Sequence, residues 1–272
     1  TKVVGYQAFL RCVGLHQLVL PNSVTNLYQG AFSGCSGITN ISIGANMRTI
    51  GADSFRENSS LQEIKFIGNK VREIGDYCFT GCVSLNQFVM PDSVREIGMY
   101  LLSGCKALSS VDIGDNVDFI SEGFCLNCES LKNISWGSSV KTIGYRAFLG
   151  CTSLYDLHVP NSVVTLGEYS FSGCSGLRYV KIGTGCTSIL GNAFNGCEHL
   201  LTAEANGQID EIGNSVFNGC KNLRYFSMNN SKAPISVGSY SFPRGDSACP
   251  LFTIFVNEDS SDWKGTDVIG LP

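Results

Sequence analysis

The stretch IGYRAFLGCTSLYDLHVPNS, residues 143–162, is the clearest copy of a unit that recurs along this 272-residue chain. Its cysteine, Cys151, lies on a grid of ten positions that are 23 residues apart, except for one step of 24 residues. Nine grid positions are cysteine and one is asparagine; in chain order they are Cys12, Cys35, Asn58, Cys82, Cys105, Cys128, Cys151, Cys174, Cys197 and Cys220. A fixed period of this length indicates a repeat protein in which each unit packs against the next.

Each grid position has an apolar anchor three residues before it and another three residues after it, as Phe148 and Leu154 show in the quoted unit. Leu157 and Val159 then alternate with polar residues, and this period of two predicts a short strand with one buried face. A proline or glycine often follows at once and closes the strand, because proline donates no ladder hydrogen bond. The pattern predicts ten such strands, and an eleventh fits residues 251–256.

The residue before the grid position is glycine in seven of the ten units and Asn127 in an eighth. Glycine, and after it asparagine, tolerate a positive φ best, so we expect a left-handed turn residue at this point of every unit. Arg11 and Glu57 are the exceptions, and the unit of Glu57 also carries Asn58 in place of the cysteine. We therefore expect this third repeat to be locally irregular. The 24-residue step follows it, with the extra residue in the stretch 67–70.

A unit of 23 residues cannot bury its apolar side chains alone, so neighbouring units must stack into one continuous core. The predicted fold is an α/β repeat solenoid with about 11 coils of 23 residues, one parallel β-strand per coil and little regular helix. The solenoid is expected to span residues 1–256, followed by a capping tail at residues 257–272.

The composition excludes several classes of protein. With 15% charged and 10% aromatic residues, the chain has the make-up of an ordered protein. Its net charge of −4 offers no basic surplus for nucleic acid, which we do not expect as a partner. No stretch of the sequence is long and apolar enough for a membrane span.

The repeat Ile-Gly-x-x-Ala-Phe-x-Gly-Cys-x-x-Leu, clearest from Ile143, resembles the BspA-like leucine-rich repeat family over residues 4 to about 256. Residues 252–263 are similar to the closing segment of such proteins. The resemblance implies a leucine-rich repeat solenoid and a microbial surface or secreted protein linked to adhesion and to binding of host matrix proteins. It therefore implies an extracellular or cell-surface location, and it supplies no catalytic residues to carry over.

The cysteines fall at inward-facing positions between apolar anchors, where a free thiol behaves as a small apolar residue. We interpret the grid cysteines as buried free thiols, since a uniform column offers no rule for pairing them into disulfides. Cys125 and Cys186 replace apolar residues of the repeat, so both are expected in the core. Cys78 also lies off the grid. Cys249 lies in an irregular C-terminal turn and is the candidate for a reactive thiol.

No motif for catalysis, metal binding or a cofactor stands out. Cys125 and Cys128 have the spacing of half a zinc site, but the second pair of ligands is missing, because His16, His158 and His199 lie in distant repeats. We predict no catalytic residues, no metal and no cofactor. A thiol enzyme is a distant alternative.

Four Asn-x-Ser/Thr sequons occur in the sequence. This number matches what chance predicts for the composition, so the sequons do not indicate secretion. The candidate glycosylation sites are Asn40, Asn58, Asn133 and Asn229.

The outward positions of the strands form the surface that a solenoid commonly uses for binding. Over repeats six to ten they combine aromatic and basic side chains, which are favoured at binding hot spots. Ordinary cross-strand packing on a solvated sheet is the alternative interpretation. The candidate ligand-binding residues are Lys132, Tyr155, His158, Arg178, Tyr179, Lys181, Arg224 and Tyr225.

These observations predict an interaction module that binds a protein or glycan of unknown identity through the exposed strand face. The chain begins inside a repeat, at Val4 and Gly5, where a polar cap is expected. Upstream sequence could cover this coil, or another molecule could dock there and propagate a filament. The alternative function is therefore a structural subunit that assembles end to end into a fibre or surface layer.

Overall fold

The computed structural model describes residues 2–243 and 253–256. The described residues form strands and turns and contain no helix, so the α part of the predicted α/β class is not observed. The predicted parallel-strand solenoid is confirmed, with about ten turns. No helix of the described residues is long and apolar enough to cross a membrane. The predicted tail, residues 257–272, lies outside the described residues.

The chain divides into two compact units, residues 1–140 and 141–272. Each coil of the first unit has a long strand of three or four residues and a second strand of two residues. The long strands are β2 (Gln17–Val19), β4 (Asn40–Ile43), β6 (Glu63–Phe66), β8 (Gln87–Val89), β10 (Ser110–Asp112) and β12 (Asn133–Ser135). The short strands are β1 (Val3–Val4), β3 (Asn26–Leu27), β5 (Thr49–Ile50), β7 (Glu73–Ile74), β9 (Glu96–Ile97) and β11 (Phe119–Ile120).

The second unit repeats this arrangement. Its long strands are β14 (Asp156–Val159), β16 (Tyr179–Ile182), β18 (Thr202–Ala205), β20 (Tyr225–Met228) and β22 (Thr253–Val256), which form one parallel sheet in this order. Its short strands are β13 (Thr142–Ile143), β15 (Thr165–Leu166), β17 (Ser188–Ile189), β19 (Glu211–Ile212) and β21 (Ser236–Val237). The predicted eleventh long strand is present as β22.

The sequence predicted the long strand of each coil and missed the short one. The short strand coincides with the recurring step that ends in an apolar residue before glycine, such as Ile74 before Gly75. Two residues are too few to show a periodicity, although they pair from coil to coil in register.

The long-strand sheet of the first unit is split. Strands β2, β4 and β6 form one parallel sheet and β8, β10 and β12 form another, with no ladder pairing among the described residues between β6 and β8. The split coincides with the 24-residue step. On the other flank the short strands β1, β3, β5, β7 and β9 pair without interruption. The extra residue therefore opens one flank of the coil and leaves the other intact.

The core of each unit is a column of stacked phenylalanine rings beside columns of leucine and cysteine. In the first unit the rings of Phe32 and Phe55 lie 5.8 Å apart and nearly parallel. In the second unit Phe171 stacks between Phe148 and Phe194, at 5.3 Å and 5.6 Å. Stacking neighbouring coils thus buries rings that a single coil would expose.

The interpretation of the cysteines as buried free thiols is confirmed for those described. All 12 of these cysteines are free and all but the half-buried Cys12 are buried, including Cys78, Cys125 and Cys186. Burial raises the pKa of Cys82 and of Cys174 to about 12. These thiols are therefore protonated and shielded at neutral pH.

The predicted left-handed turn is confirmed before all ten grid positions, including those without glycine. Arg11 has a φ of 56° and Glu57 a φ of 58°, close to the 57° of Asn127. The turn of the third repeat is therefore regular, and the expected irregularity lies elsewhere in that repeat. The ladder is interrupted after its long strand, β6, and the side-chain amide of Asn58 is buried without a hydrogen-bond partner.

A second left-handed position lies four residues earlier in each coil and was not predicted. It is filled by residues of many types, including Tyr77, Tyr100 and Arg146, with φ values of 54°, 56° and 53°. The rings of Tyr77 and Tyr100 stack at 5.2 Å. Bulky residues seldom adopt a positive φ, and here two of them that do so stack their rings between neighbouring coils.

Candidate binding surface

The strand face of the second unit presents the side chains that alternate with the core. On β14 and β16, Leu157 and Val180 are buried, whereas His158 and Lys181 are exposed and lie side by side in register. The predicted orientation of these strands is therefore confirmed. Five side chains form the aromatic–basic patch on this face: Tyr155, His158, Arg178, Tyr179 and Lys181.

Tyr155 and Arg178 contact each other at one edge of the patch. The guanidinium carbon of Arg178 lies 5.6 Å from the centre of the Tyr155 ring, within the range of a cation–π interaction. The tyrosine remains 55% exposed. The pair thus offers a partner a large ring beside a positive charge.

His158 and Tyr179 form the centre of the patch. Their rings meet edge to face, with centres 5.8 Å apart. Desolvation, together with a hydrogen bond to Glu204 and the charges of Glu204 and Asp156, raises the pKa of Tyr179 to about 12. The phenol therefore stays protonated and serves as a hydrogen-bond donor. This bond fixes the Tyr179 side chain on the sheet.

Glu204 is a member of the site that the sequence analysis did not select. It lies beside Lys181 in register on β18, because both positions face outward. Its outward position follows from the alternation of the strand, but an acidic residue does not match the aromatic and basic character that marked the candidates. The patch is therefore bordered by a carboxylate.

The remaining candidates are not all brought together. Arg224 and Tyr225 belong to the coil of β20, and β18 separates that coil from the coil of β16, which carries Arg178 and Tyr179. Tyr225 is half exposed and faces Thr202 in register. Lys132 is exposed just before β12 in the first unit and is not part of the described patch.

The four sequons differ in their exposure. Asn133 and Asn229 are exposed, whereas Asn40 is half-buried and its Nδ2 donates to Thr39 Oγ1 across 3.1 Å. Asn58 is completely buried, so the folded chain does not present it to a glycosyltransferase. This is a correction to the candidate set, because Asn58 occupies a core grid position.

Cys249, the candidate reactive thiol, lies outside the described residues. Within residues 2–243 and 253–256, no group of three or more histidine, cysteine or acidic side chains is arranged to hold a metal ion.

The split between β6 and β8 forms a groove on the strand face of the first unit, with a volume of about 650 Å³. Polar and apolar side chains line it, including Lys65 and the exposed Ile67 and Val89. Asn86 N–H still donates to the carbonyl of Gln62 across 3.4 Å at one end. The sequence identified the extra residue but not the groove that it creates.

The coils, their parallel strands and their columns of buried phenylalanine, leucine and cysteine define a leucine-rich repeat solenoid. The model of the BspA type leucine rich repeat region matches residues 1–109, 66–166 and 119–248, with 6 copies. The chain belongs to this family.

Solved structures of leucine-rich repeat proteins are similar to this chain. One from Bacteroides ovatus is 24% identical, with a TM-score of 0.64 over 90% of this chain and 70% of its own. The Treponema pallidum leucine rich repeat protein is 30% identical, with a TM-score of 0.55 over 59% of this chain and 77% of its own. One from Eubacterium ventriosum is 20% identical, with a TM-score of 0.54 over 90% and 68%. No curated protein matches the chain.

Proposed function

We propose that the chain is a non-enzymatic interaction module, secreted or displayed on a cell surface, that binds a protein or glycan through the strand face of its second unit. The observation that carries this proposal is the aromatic–basic patch. There, Tyr155 is exposed over half of its surface while Arg178 holds one face of its ring.

The chemistry of the patch suits a partner with both apolar and polar surface. An exposed tyrosine ring packs against a sugar ring or an apolar side chain, while Arg178 and Lys181 donate hydrogen bonds to oxygen atoms around it. The strands beneath the patch are paired and a hydrogen bond to Glu204 holds Tyr179, so the backbone and this ring need little ordering when a partner binds.

The proposed location follows the expectation for the family. Extracellular surroundings are often oxidising, which raises the question of how free thiols would persist there. Burial raises the pKa of the cysteines in the core, as at Cys105 and Cys197, and keeps reactive thiolate from forming. Free thiols in the core are therefore compatible with such a location.

The test is a binding screen of the full-length chain against arrayed glycans and immobilised extracellular matrix proteins. For each hit we expect Tyr155→Ala and Arg178→Ala to lower the affinity at least about tenfold, as hot-spot residues do. Lys221→Ala is the matched control, because Lys221 is an exposed cation of the same unit, 2.8 Å from Glu198. Hits that bind the patch variants as tightly as the wild type would place binding elsewhere.

Sedimentation over a range of concentrations separates this proposal from the structural alternative. A module that binds through its strand face is expected to remain monomeric. Association that grows with concentration and leads to filaments would favour the fibre or surface-layer subunit.

A further inference from the structure

Three arginines form a column on the short-strand flank of the first unit. Arg48, Arg72 and Arg95 directly precede β5, β7 and β9. The Arg72 N–H donates to the Arg48 carbonyl across 2.8 Å, and the Arg95 N–H to the Arg72 carbonyl across 2.9 Å. The three residues therefore occupy equivalent places on consecutive coils, about 4.8 Å apart along the stack.

The first two arginines line a pocket together with residues of the inserted stretch. Arg48, Asn69, Lys70 and Arg72 enclose a volume of about 390 Å³, and we call this the cationic pocket. Lys70 Nζ donates to Asn46 Oδ1 across 2.8 Å, which holds the ammonium group in place. Asn69 Oδ1 accepts from the Ser93 N–H, also across 2.8 Å. Asn69 and Lys70 occupy recurring positions of the coil, since the Ala45 N–H donates to Asn22 Oδ1 in the same way as the Ser93 N–H donates to Asn69 Oδ1.

The positive charge of this pocket is not neutralised by the described part of the chain. Among residues 2–243 and 253–256, none of Arg48, Lys70 and Arg72 has a carboxylate oxygen within 4.0 Å. Glu73 and Glu96 follow the arginines in sequence and face each other in register, but they form no ion pair with the column.

Some other cations of the same unit do have carboxylate partners. Lys65 Nζ lies 3.0 Å from Glu63, and Lys106 Nζ lies 3.1 Å from Glu129. Although the whole chain carries a net charge of −4, three cations therefore line one pocket with no carboxylate partner in the described part of the chain. Like charges this close repel one another, and a bound anion would remove that cost.

We infer that the cationic pocket binds a tetrahedral oxyanion, the sulfate or phosphate ester of a small carbohydrate-sized ligand. Guanidinium groups present parallel N–H donors that match the oxygen atoms of such esters, and Lys70 adds a point charge. The pocket is larger than a bare ion, so the group that carries the ester also has room. This site lies on the short-strand flank of the first unit and is independent of the aromatic–basic patch.

The test uses calorimetric titration of the full-length chain with three probes: a heparin-derived tetrasaccharide, the same tetrasaccharide after desulfation, and glucose 6-phosphate. We expect at least one esterified probe to bind and the desulfated one not to bind. Binding of the sulfated probe alone identifies a sulfate ester as the ligand chemistry, and binding of glucose 6-phosphate alone identifies a phosphate ester. No binding of either esterified probe overturns the inference.

Variants that replace a charged side chain by an uncharged one locate the site. Arg72→Gln is expected to weaken binding about ten- to hundredfold, because it removes hydrogen bonds between charged groups. Arg95→Gln is expected to have a smaller effect, since Arg95 is in the column but does not line the pocket. Lys106→Gln is the control, because it removes one charge from an ion-paired surface position of the same unit.

Equal losses in Arg72→Gln and Lys106→Gln would show that only overall charge matters and would overturn the inference. Thermal melting of each variant by circular dichroism checks that the coils remain folded. Arg72 is exposed, so we expect unchanged melting.

Discussion

The thiol of Cys105 donates a hydrogen bond to the backbone carbonyl of Phe79, one coil earlier, across 3.2 Å. The same bond joins Cys174 to Phe148 and Cys197 to Phe171, each across 3.3 Å. The grid cysteine therefore does more than fill space, because its thiol adds a second donor to a carbonyl that already accepts a backbone N–H and so links two coils. Sulfur is a weak donor, but the bond recurs along the stack.

Replacing the exceptional Asn58 by cysteine is expected to stabilise the fold. Its amide is buried and neither its oxygen nor its nitrogen has a hydrogen-bond partner. Such a group costs about 1–3 kcal/mol, which Asn58→Cys should recover. Urea denaturation measures the gain, and Asn133→Cys, at an exposed asparagine, is the control. A urea midpoint for Asn58→Cys at or below that of the wild type would contradict the assignment of Asn58 to the column of grid cysteines.

Removing one ring from the phenylalanine column is expected to destabilise the fold strongly. Phe171 is fully buried between Phe148 and Phe194, so Phe171→Ala leaves a cavity and should cost about 3–5 kcal/mol. Lys65→Ala, on the exposed face, should stay within about 0.5 kcal/mol of the wild type. Denaturant melts that show equal effects for both variants would contradict the assigned register.

Two classes of glycine should respond differently to alanine. Gly104 has a φ of 71° but an added Cβ would meet no atom closer than 3.9 Å, so Gly104→Ala should cost about 1–2 kcal/mol from backbone strain alone. At Gly98 the added Cβ would clash with the backbone nitrogen of Asp76 on the preceding coil. Gly98→Ala should therefore cost more. Thermal melts of both variants test this order, and the reverse order would contradict the close approach of the coils.

The buried thiols predict a loss of stability at alkaline pH. Burial raises the pKa of Cys174 to about 12, from an ordinary value near 9. Between these values the unfolded chain loses the proton and the folded chain keeps it. The contribution of this thiol to the free energy of unfolding is therefore fully present below pH 9. As the pH rises from 9 towards 12, each such thiol lowers the free energy of unfolding by about 1.4 kcal/mol per pH unit.

Urea melts between pH 7 and pH 11 measure this slope. Because other groups also titrate in this range, the comparison is between the wild type and Cys174→Ala, which should show a shallower decline. Identical slopes in the two proteins would contradict a proton held on Cys174.

Much of the coil could be predicted because each grid position repeats the same environment. The alternation at Leu157 and Val159 predicted a long strand, and glycine at positions such as Gly104 predicted the first left-handed turn. The second left-handed position carries no such signal, since Tyr77 and Tyr100 occupy it as readily as glycine does elsewhere. Its conformation depends on contacts between coils, which a single repeat does not reveal.

The candidate patch was predictable in part for the same reason. Alternation places His158 and Lys181 outward, and one repeat length places them side by side. The bond between Tyr179 and Glu204 depends on side-chain conformation across 25 positions of sequence, and the selection of basic and aromatic residues excluded the acid. The cationic pocket brings together Arg48, Lys70 and Arg72, which stand at outward positions where the residue type varies from coil to coil, so the shared pattern does not reveal it.

The split sheet of the first unit has a mechanical consequence. Across it, Glu73 and Glu96 still pair in register on the short-strand flank, and the rings of Phe55 and Phe79 still stack at 5.4 Å. A stack of coils resists bending because the backbone hydrogen bonds between neighbouring coils, on both flanks, must stretch or compress. Between β6 and β8 the long-strand flank has no ladder pairing among the described residues and keeps the long hydrogen bond from the Asn86 N–H to the Gln62 carbonyl. The paired short-strand flank can therefore serve as a hinge on which the strand face widens. We therefore expect the first unit to bend most easily between β6 and β8, next to this single inserted residue.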